Sequence, residues 1–244
     1  MKVFKCVLEP HDFLFFVSRD LAKIGITEKK VIHSTALNYA VNYTSRVVSF
    51  SSQPDYNKDI EKFQFRVTPA RPQGRIPEIG FSYNAVNDVA LSTDAVGNYP
   101  TVGKYYKINL GAIQMLQGKK NFESTRFEFF TFSFNDMPPR KVIRLGKKDA
   151  YCRVTSEELT GVKIKEAREE SPVEPSHPIN PLEFEGKFAR GFPITLLSIP
   201  PHLLILRCRI DEGRYIEAMS REKKHVIIPP KDKLKEITDF YGVN

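Results

Sequence analysis

The chain has 244 residues, 41% of them hydrophobic, and its 37 Lys and Arg against 29 Asp and Glu leave a net charge of +8; that is apolar material for one large domain and a charge balance that favours polyanionic partners. Its three cysteines, Cys6, Cys152 and Cys208, lack CxxC spacing, which argues against a disulfide framework or a zinc site and for a reducing compartment. The opening segment MKVFKCVLEPHDFLFF is broken by Lys5, Glu9, His11 and Asp12, and no other segment reaches membrane length, so neither a signal peptide nor a spanning helix is predicted and a cytoplasmic protein with no membrane partner is expected.

Val3 to Leu8 alternates, with Phe4, Cys6 and Leu8 on one side and Lys5 and Val7 on the other, which predicts a half-buried strand opening the domain. Phe13 to Val17 is a short apolar run, a second strand or an edge. A helix is predicted over His33 to Arg46. Ser34 or Thr35 can cap it, Ala36, Leu37, Ala40, Val41 and Thr44 recur at helical spacing, and Tyr39, Tyr43 and Arg46 form a neighbouring stripe of core or rim residues. Residues 54–100 hold Pro69, Pro72, Gly74 and Pro77 with few periodic runs. Phe63, Phe65 and Val67 alternate as one short strand, and Phe81, Tyr83 and Ala85 as another, so an insertion projecting as a hairpin or thumb is expected.

Gly103 to Leu110 is strand-like. Arg126 to Phe134 is a Phe-rich strand whose phase passes from Phe127 and Phe129 to Phe130, Phe132 and Phe134, predicting a bulge near Phe129 and Phe130. Lys141 to Leu145 is a short strand ending at Gly146. Residues 155–191 are acidic, and Pro172, Pro175, Pro178 and Pro181 fall every third residue, the signature of an extended polyproline-like surface arm. Phe192 to Ile199 and Leu203 to Ile210 are apolar strands around Pro200 and Pro201, Val226 to Ile228 is a third, and a terminal helix runs from Lys231 to Phe240. No regular βαβ rhythm and no internal repeat emerge. The expected fold is therefore α+β: a single ferredoxin-like (RRM-like) domain over 1–244, an antiparallel sheet with helices on one side, carrying the thumb insertion and the proline-rich arm.

Catalytic signatures are missing. His11, His33, His177, His202 and His225 have no metal-ligand spacing, and no GxSxG, P-loop, GxGxxG, HExxH or paired-carboxylate pattern occurs, so no catalytic residue, metal or cofactor is expected. His33 beside Ser34 suits a helix start better than a base. A metal-independent ribonuclease needs only a His, Tyr or Lys near a scissile phosphate, which leaves that alternative open with His33, Tyr105 and Lys107 as candidates.

The cations are more informative. From Lys104 to Arg153 there are 11 Lys and Arg against four acids, a net +7 that is nearly the whole excess of the chain. Within this block Ile143 to Lys148 joins a strand end, a glycine and three cations, a pattern that lets backbone N–H groups approach a phosphate while Arg144, Lys147 and Lys148 neutralise it. Arg126, Arg140 and Lys141 join on local charge. Arg66, Arg71 and Arg75 around Gly74 form a second patch able to pair with phosphate or stack on a splayed base. Tyr99, Tyr105 and Tyr106, beside Gly103 and Lys104, are stacking platforms or buried tyrosines. The bland alternative for both patches is an ordinary solvated loop. A third alternative is an interaction protein whose arm, Pro172 to Pro181, is the ligand of another domain.

These segments resemble a known family. The opening strand followed by HDFLFFVSRD, then HSTALNYAV, looks like the start of the Csc-one subunit of type I-D CRISPR Cascade, a member of the Cas-five family; NYPTVGKYYKIN and VIRLGKKDAYCRV resemble later segments, so the likeness is spread over roughly residues 1–155. The resemblance implies a ferredoxin-like RNA-binding core with a thumb, which holds the 5′ handle of crRNA, abuts a Cas-seven-type backbone subunit, contacts a Cas-ten-type large subunit and helps recognise target DNA near the PAM. It implies a non-catalytic role, with crRNA cutting left to a Cas-six-type nuclease, although type I-C relatives do cut RNA. Arg144, Lys147 and Lys148 match the family's basic glycine turn and Lys104 the basic position after its NYP segment, which makes them expected handle contacts. Arg71 and Arg75 are expected on the thumb.

Overall fold

This computed structural model describes residues 1–16, 19–21, 24–43, 55–85, 103–111, 125–146 and 150–242. In chain order its elements are β1 (Lys2–Pro10), β2 (Arg19–Leu21), β3 (Ile24–Ile26), α1 (Ser34–Asn42), α2 (Tyr56–Ile60), β4 (Phe65–Val67), β5 (Arg71–Pro72), β6 (Glu78–Ala85), β7 (Gly103–Leu110), β8 (Phe127–Ser133), β9 (Val142–Leu145), β10 (Ala150–Glu158), β11 (Thr160–Ala167), β12 (Gly186–Phe188), β13 (Thr195–Leu197), β14 (Leu204–Arg207), β15 (Ile210–Met219), β16 (Lys224–Ile227) and α3 (Leu234–Tyr241). The first sheet has the order β4–β8–β1–β10–β9, with β5 also on β8; the second has the order β11–β15–β12, with β16 also on β15. β10 passes through Leu159 directly into β11, so the two sheets share one continuous run of chain. The architecture is α+β, mostly antiparallel sheet with few helices, the sheet curled into a half-barrel.

β1 is the expected opening strand, but it is covered on both faces. Phe4, Cys6 and Leu8 pack with Phe127, Phe129, Cys152 and Val154 beneath Leu37, Ala40 and Val41 of α1. Val3 faces the other way, into a second core with Phe130, Phe132, Leu159, Ile164, Ile216 and Ile237. The same fact corrects the expected bulge. β8 pairs with β1 without a break from Lys2↔Ser133 to Leu8↔Phe127, and all seven of its residues are buried. The phase change is that of a central strand with apolar matter on both sides. The helices also divide: α1 lies over β4 and β9, whereas Ile237 and Tyr241 of α3 belong to the second core, so the described helices do not share one side of the sheet.

His33 itself caps α1, its Nδ1 accepting the Thr35 N–H at 3.1 Å, one residue ahead of the expected Ser34 or Thr35. Asn38 and Asn42 then turn inward. Asn42 accepts from the N–H of Phe65 and donates to its carbonyl, and Asn38 accepts from the N–H of Val67. Their amides thus satisfy the outer edge of β4, which would otherwise offer unpaired backbone. Phe65 to Val67 therefore belongs to the core sheet, and the hairpin of β6 and β7 begins beyond it. Of the insertion expected over 54–100, residues 86–100 lie outside the described residues.

Residues 155–191 do not form a projecting arm. β10 and β11 occupy the chain to Ala167, Val173 and Ile179 bridge to Ile210 and Ile205, and His177, Pro178, Ile179 and Asn180 are buried. Isolated bridges leave most N–H groups of this segment uncommitted to a ladder, which is why prolines fit along it. Among the described residues no helix is long and apolar enough to cross a membrane.

Candidate nucleic-acid interface

The first sheet has one face closed by α1. The opposite face is covered only at one end, by the second sheet. On the strands there, outward positions run Val3, Lys5, Val7, Glu9 along β1 and Phe132, Phe130, Glu128 along β8, with Arg126 just beyond. The apolar end is roofed; at the charged, open end Lys5, Glu128 and Glu9 are themselves buried, and Arg126 and Arg153 reach solvent. Register places Arg153 of β10 opposite Glu9 and Val142 opposite Arg153. Tyr151 and Arg144 are the next pair on that face.

At the open end, Glu9 is buried and takes hydrogen bonds from both neighbours, Arg126 Nε at 2.6 Å and Arg153 Nη2 at 2.6 Å. Burial pushes the Glu9 carboxyl up, but the hydrogen bonds from Arg153 and Arg126 outweigh it and hold the group below the usual carboxylate range. Both arginine side chains remain about half exposed, 53% for Arg126 and 51% for Arg153. Farther along, Arg71 Nη2 donates to Glu128 at 2.8 Å and Gln73 to the same carboxylate at 2.9 Å. Burial raises the Glu128 carboxyl, and Arg71, with Lys223 and Lys5, more than reverses it. At the other side Arg144 lies over the half-exposed Tyr151 ring, 5.1 Å from its centroid, and donates to its hydroxyl at 2.8 Å.

Arg144, Arg153, Arg126 and Arg71 therefore form a row across β9, β10, β1, β8 and β5, roughly 20 Å long at the usual strand spacing. The two carboxylates in the row, Glu9 and Glu128, lie beneath it. They orient guanidiniums without presenting charge to solvent, which suits planar, two-point recognition of phosphate.

The expected residues meet different fates. Arg126, Arg144 and Arg71 converge on this face. Arg140 and Lys141 are exposed on the chain entering β9. Gly146 ends β9 with φ +82°, and a Cβ there would lie 2.6 Å from the Phe15 carbonyl, so the turn demands glycine. Lys147 and Lys148 just after it lie outside the described residues. Lys104 sits on another sheet, in β7 opposite Asn84 of β6 and six residues along the strand from the buried Leu110. Of the second patch, Arg75 is exposed, but Arg66 is a correction: its side chain is 1% exposed and bound to Glu183 and Asp232. Tyr99 is outside the described residues. His33, the candidate base, is buried and already engaged as a cap; burial, with His202 nearby, lowers its pKa to about 4. Tyr105 and Lys107 lie on β7, as expected of that strand.

Tyr151 and Glu9 were not singled out by the sequence, and Arg153 only as part of the basic block. The signal was present in AYCRV, where Ala150, Cys152 and Val154 turn to the core and leave Tyr151 and Arg153 outward. Among the described residues no group of three His, Cys, Asp or Glu is placed to hold a metal ion.

A family model described as Type I-D CRISPR-associated protein Cas5/Csc1 matches residues 1–236 of the chain. Among curated proteins none matches.

Proposed function

Because the chain belongs to the type I-D CRISPR-associated Cas5/Csc1 family, we propose that it is a non-catalytic subunit of a type I-D surveillance complex that binds the crRNA 5′ handle, caps the backbone filament and helps position target DNA near the PAM. The observation that carries this reading is the row of oriented guanidiniums ending at Tyr151 on an open sheet face. Oriented arginines beside an exposed aromatic suit an unpaired strand, whose phosphates and splayed bases are both within reach. The strand order β4–β8–β1–β10, with α1 crossing between β1 and β4, supports a ferredoxin-like core in which the connection from β8 to β10 carries an extra edge strand, β9, in the place in the chain of a second helix. The hairpin of β6 and β7 is the thumb in this reading, and Cas-seven-type and Cas-ten-type subunits are the expected neighbours in the cytoplasm.

The test is binding of labelled repeat-derived RNA to the purified chain, in EDTA, over a salt series. The expected result is a mobility shift with intact RNA and an affinity that falls steeply with salt. Combined Arg144→Ala, Arg153→Ala and Tyr151→Ala should abolish the shift, and Tyr151→Ala alone, which leaves the Glu9 pairing intact, should weaken it with the thermal melt unchanged. A discrete cleavage product would replace this reading with the endoribonuclease. Unshifted RNA at low salt would remove nucleic acid from the function.

A further inference from the structure

The guanidinium row does not stop at the sheet edge. Arg71, its last member, also lines a pocket of about 220 Å³ formed where β5 meets β14 and the 174–178 segment. Lys30 and Arg207 are the other cations of its wall, and Pro178, Ile205 and Cys208 are among its apolar residues. Arg207 Nε donates to the exposed Glu174 at 2.9 Å, and its side chain stays 69% exposed. Lys30 is exposed at the mouth. Three cations around one exposed acid, over an apolar floor, match a group with an anionic end and a flat apolar end. The volume is small for a whole drug-sized ligand and suits a single nucleotide unit.

We infer that this pocket is a phosphate-binding subsite that takes one nucleotide of a single strand, with Lys30, Arg71 and Arg207 on the phosphate and the base or sugar against Pro178 and Ile205. The inference rests on the reading of the row as a nucleic-acid track, of which the pocket is the continuation. Arg71 serves both, so Lys30 and Arg207, which lie outside the row, isolate the pocket.

The experiment follows the Ile205 methyl by NMR while the full chain is titrated with uridine 5′-monophosphate, and separately with uridine. Saturable movement with the monophosphate, at least about tenfold weaker with uridine and in Lys30→Ala combined with Arg207→Ala, is expected from the loss of charge-assisted contacts. No movement, or movement that is equal for uridine or survives the double substitution, overturns the subsite. The same double variant is then titrated with repeat-derived RNA over a salt series. Its logarithmic salt slope should fall by about 0.7 per lost phosphate contact, with the binding at the row retained. RNA binding without any change at Ile205 overturns the pocket and leaves the row standing. Movement at Ile205 in a chain that binds no RNA overturns the row and leaves a nucleotide pocket.

Discussion

β1 and β8 each live in two environments. At one end Val3, Phe130 and Phe132 lie under the second sheet and α3, packed with Ile164, Ile216 and Ile237. At the other end, on the same face and in the same ladder, Glu9 and Arg126 meet beside solvent. The strands do not change in geometry between the two; only their outward side chains do. Where the second sheet stops, the same pleated surface turns from core into a place where a ligand could lie. The switch takes six residues along β1, from Val3 to Glu9, and four along β8, from Phe132 to Glu128, so the border of the site is written into the two central strands.

The comparison breaks most sharply at the covered end. Phe132→Ala should lower stability by about 3–5 kcal/mol, the cost of a cavity under a large buried aromatic, measured by urea unfolding; a loss under about 1 kcal/mol would mean that the roof is loose. Gly146→Ala should cost about 1–3 kcal/mol, because alanine is forced to a positive φ against the Phe15 carbonyl. Tyr151→Ala, at the open end, should leave stability within about 0.5 kcal/mol yet weaken binding of single-stranded RNA by about 1–3 kcal/mol. Equal losses of stability from Tyr151→Ala and Phe132→Ala would erase the distinction between the two ends.

The smallest effect concerns Glu9. Its folded-state carboxyl is held below the ordinary carboxylate range by Arg153 and Arg126 against the opposing pull of burial. A depressed carboxylate contributes stability that is present above its unfolded value and disappears as pH falls through the folded one. Glu9→Gln should therefore be less stable than the wild type at neutral pH, by about 1 kcal/mol or less because its partners are half exposed. The gap should close as pH falls through and below the ordinary carboxylate range. A gap that widens in acid would show that the carboxyl is not tuned by the two arginines.

Much of this fold was legible in the sequence where one face of an element is apolar and the other is not. α1, β7 and the terminal helix followed from spacing alone. Legibility failed where both faces are covered. β8 presents Phe127 and Phe129 to one core and Phe130 and Phe132 to the other, so its period vanished and a bulge took the blame. It failed again at Pro172 to Pro181, where the threefold rhythm of the prolines concealed Val173, His177 and Ile179, the residues that hold the segment down. Within the candidate site, charge density found the right stretch of chain. It could not tell Arg66, buried against Glu183 and Asp232, from Arg126, held at the surface by Glu9. That distinction depends on carboxylates more than 100 residues away in the chain, which no local pattern reveals.

The joint at Leu159, where β10 becomes β11 without a loop, constrains how this chain can change over time. A single residue gained or lost there would invert β11, turning Ile164 to solvent and Lys163 or Lys165 inward. The platform and its roof are consequently locked to a common reading frame. Length variation in relatives should collect elsewhere, while this junction keeps its residue count.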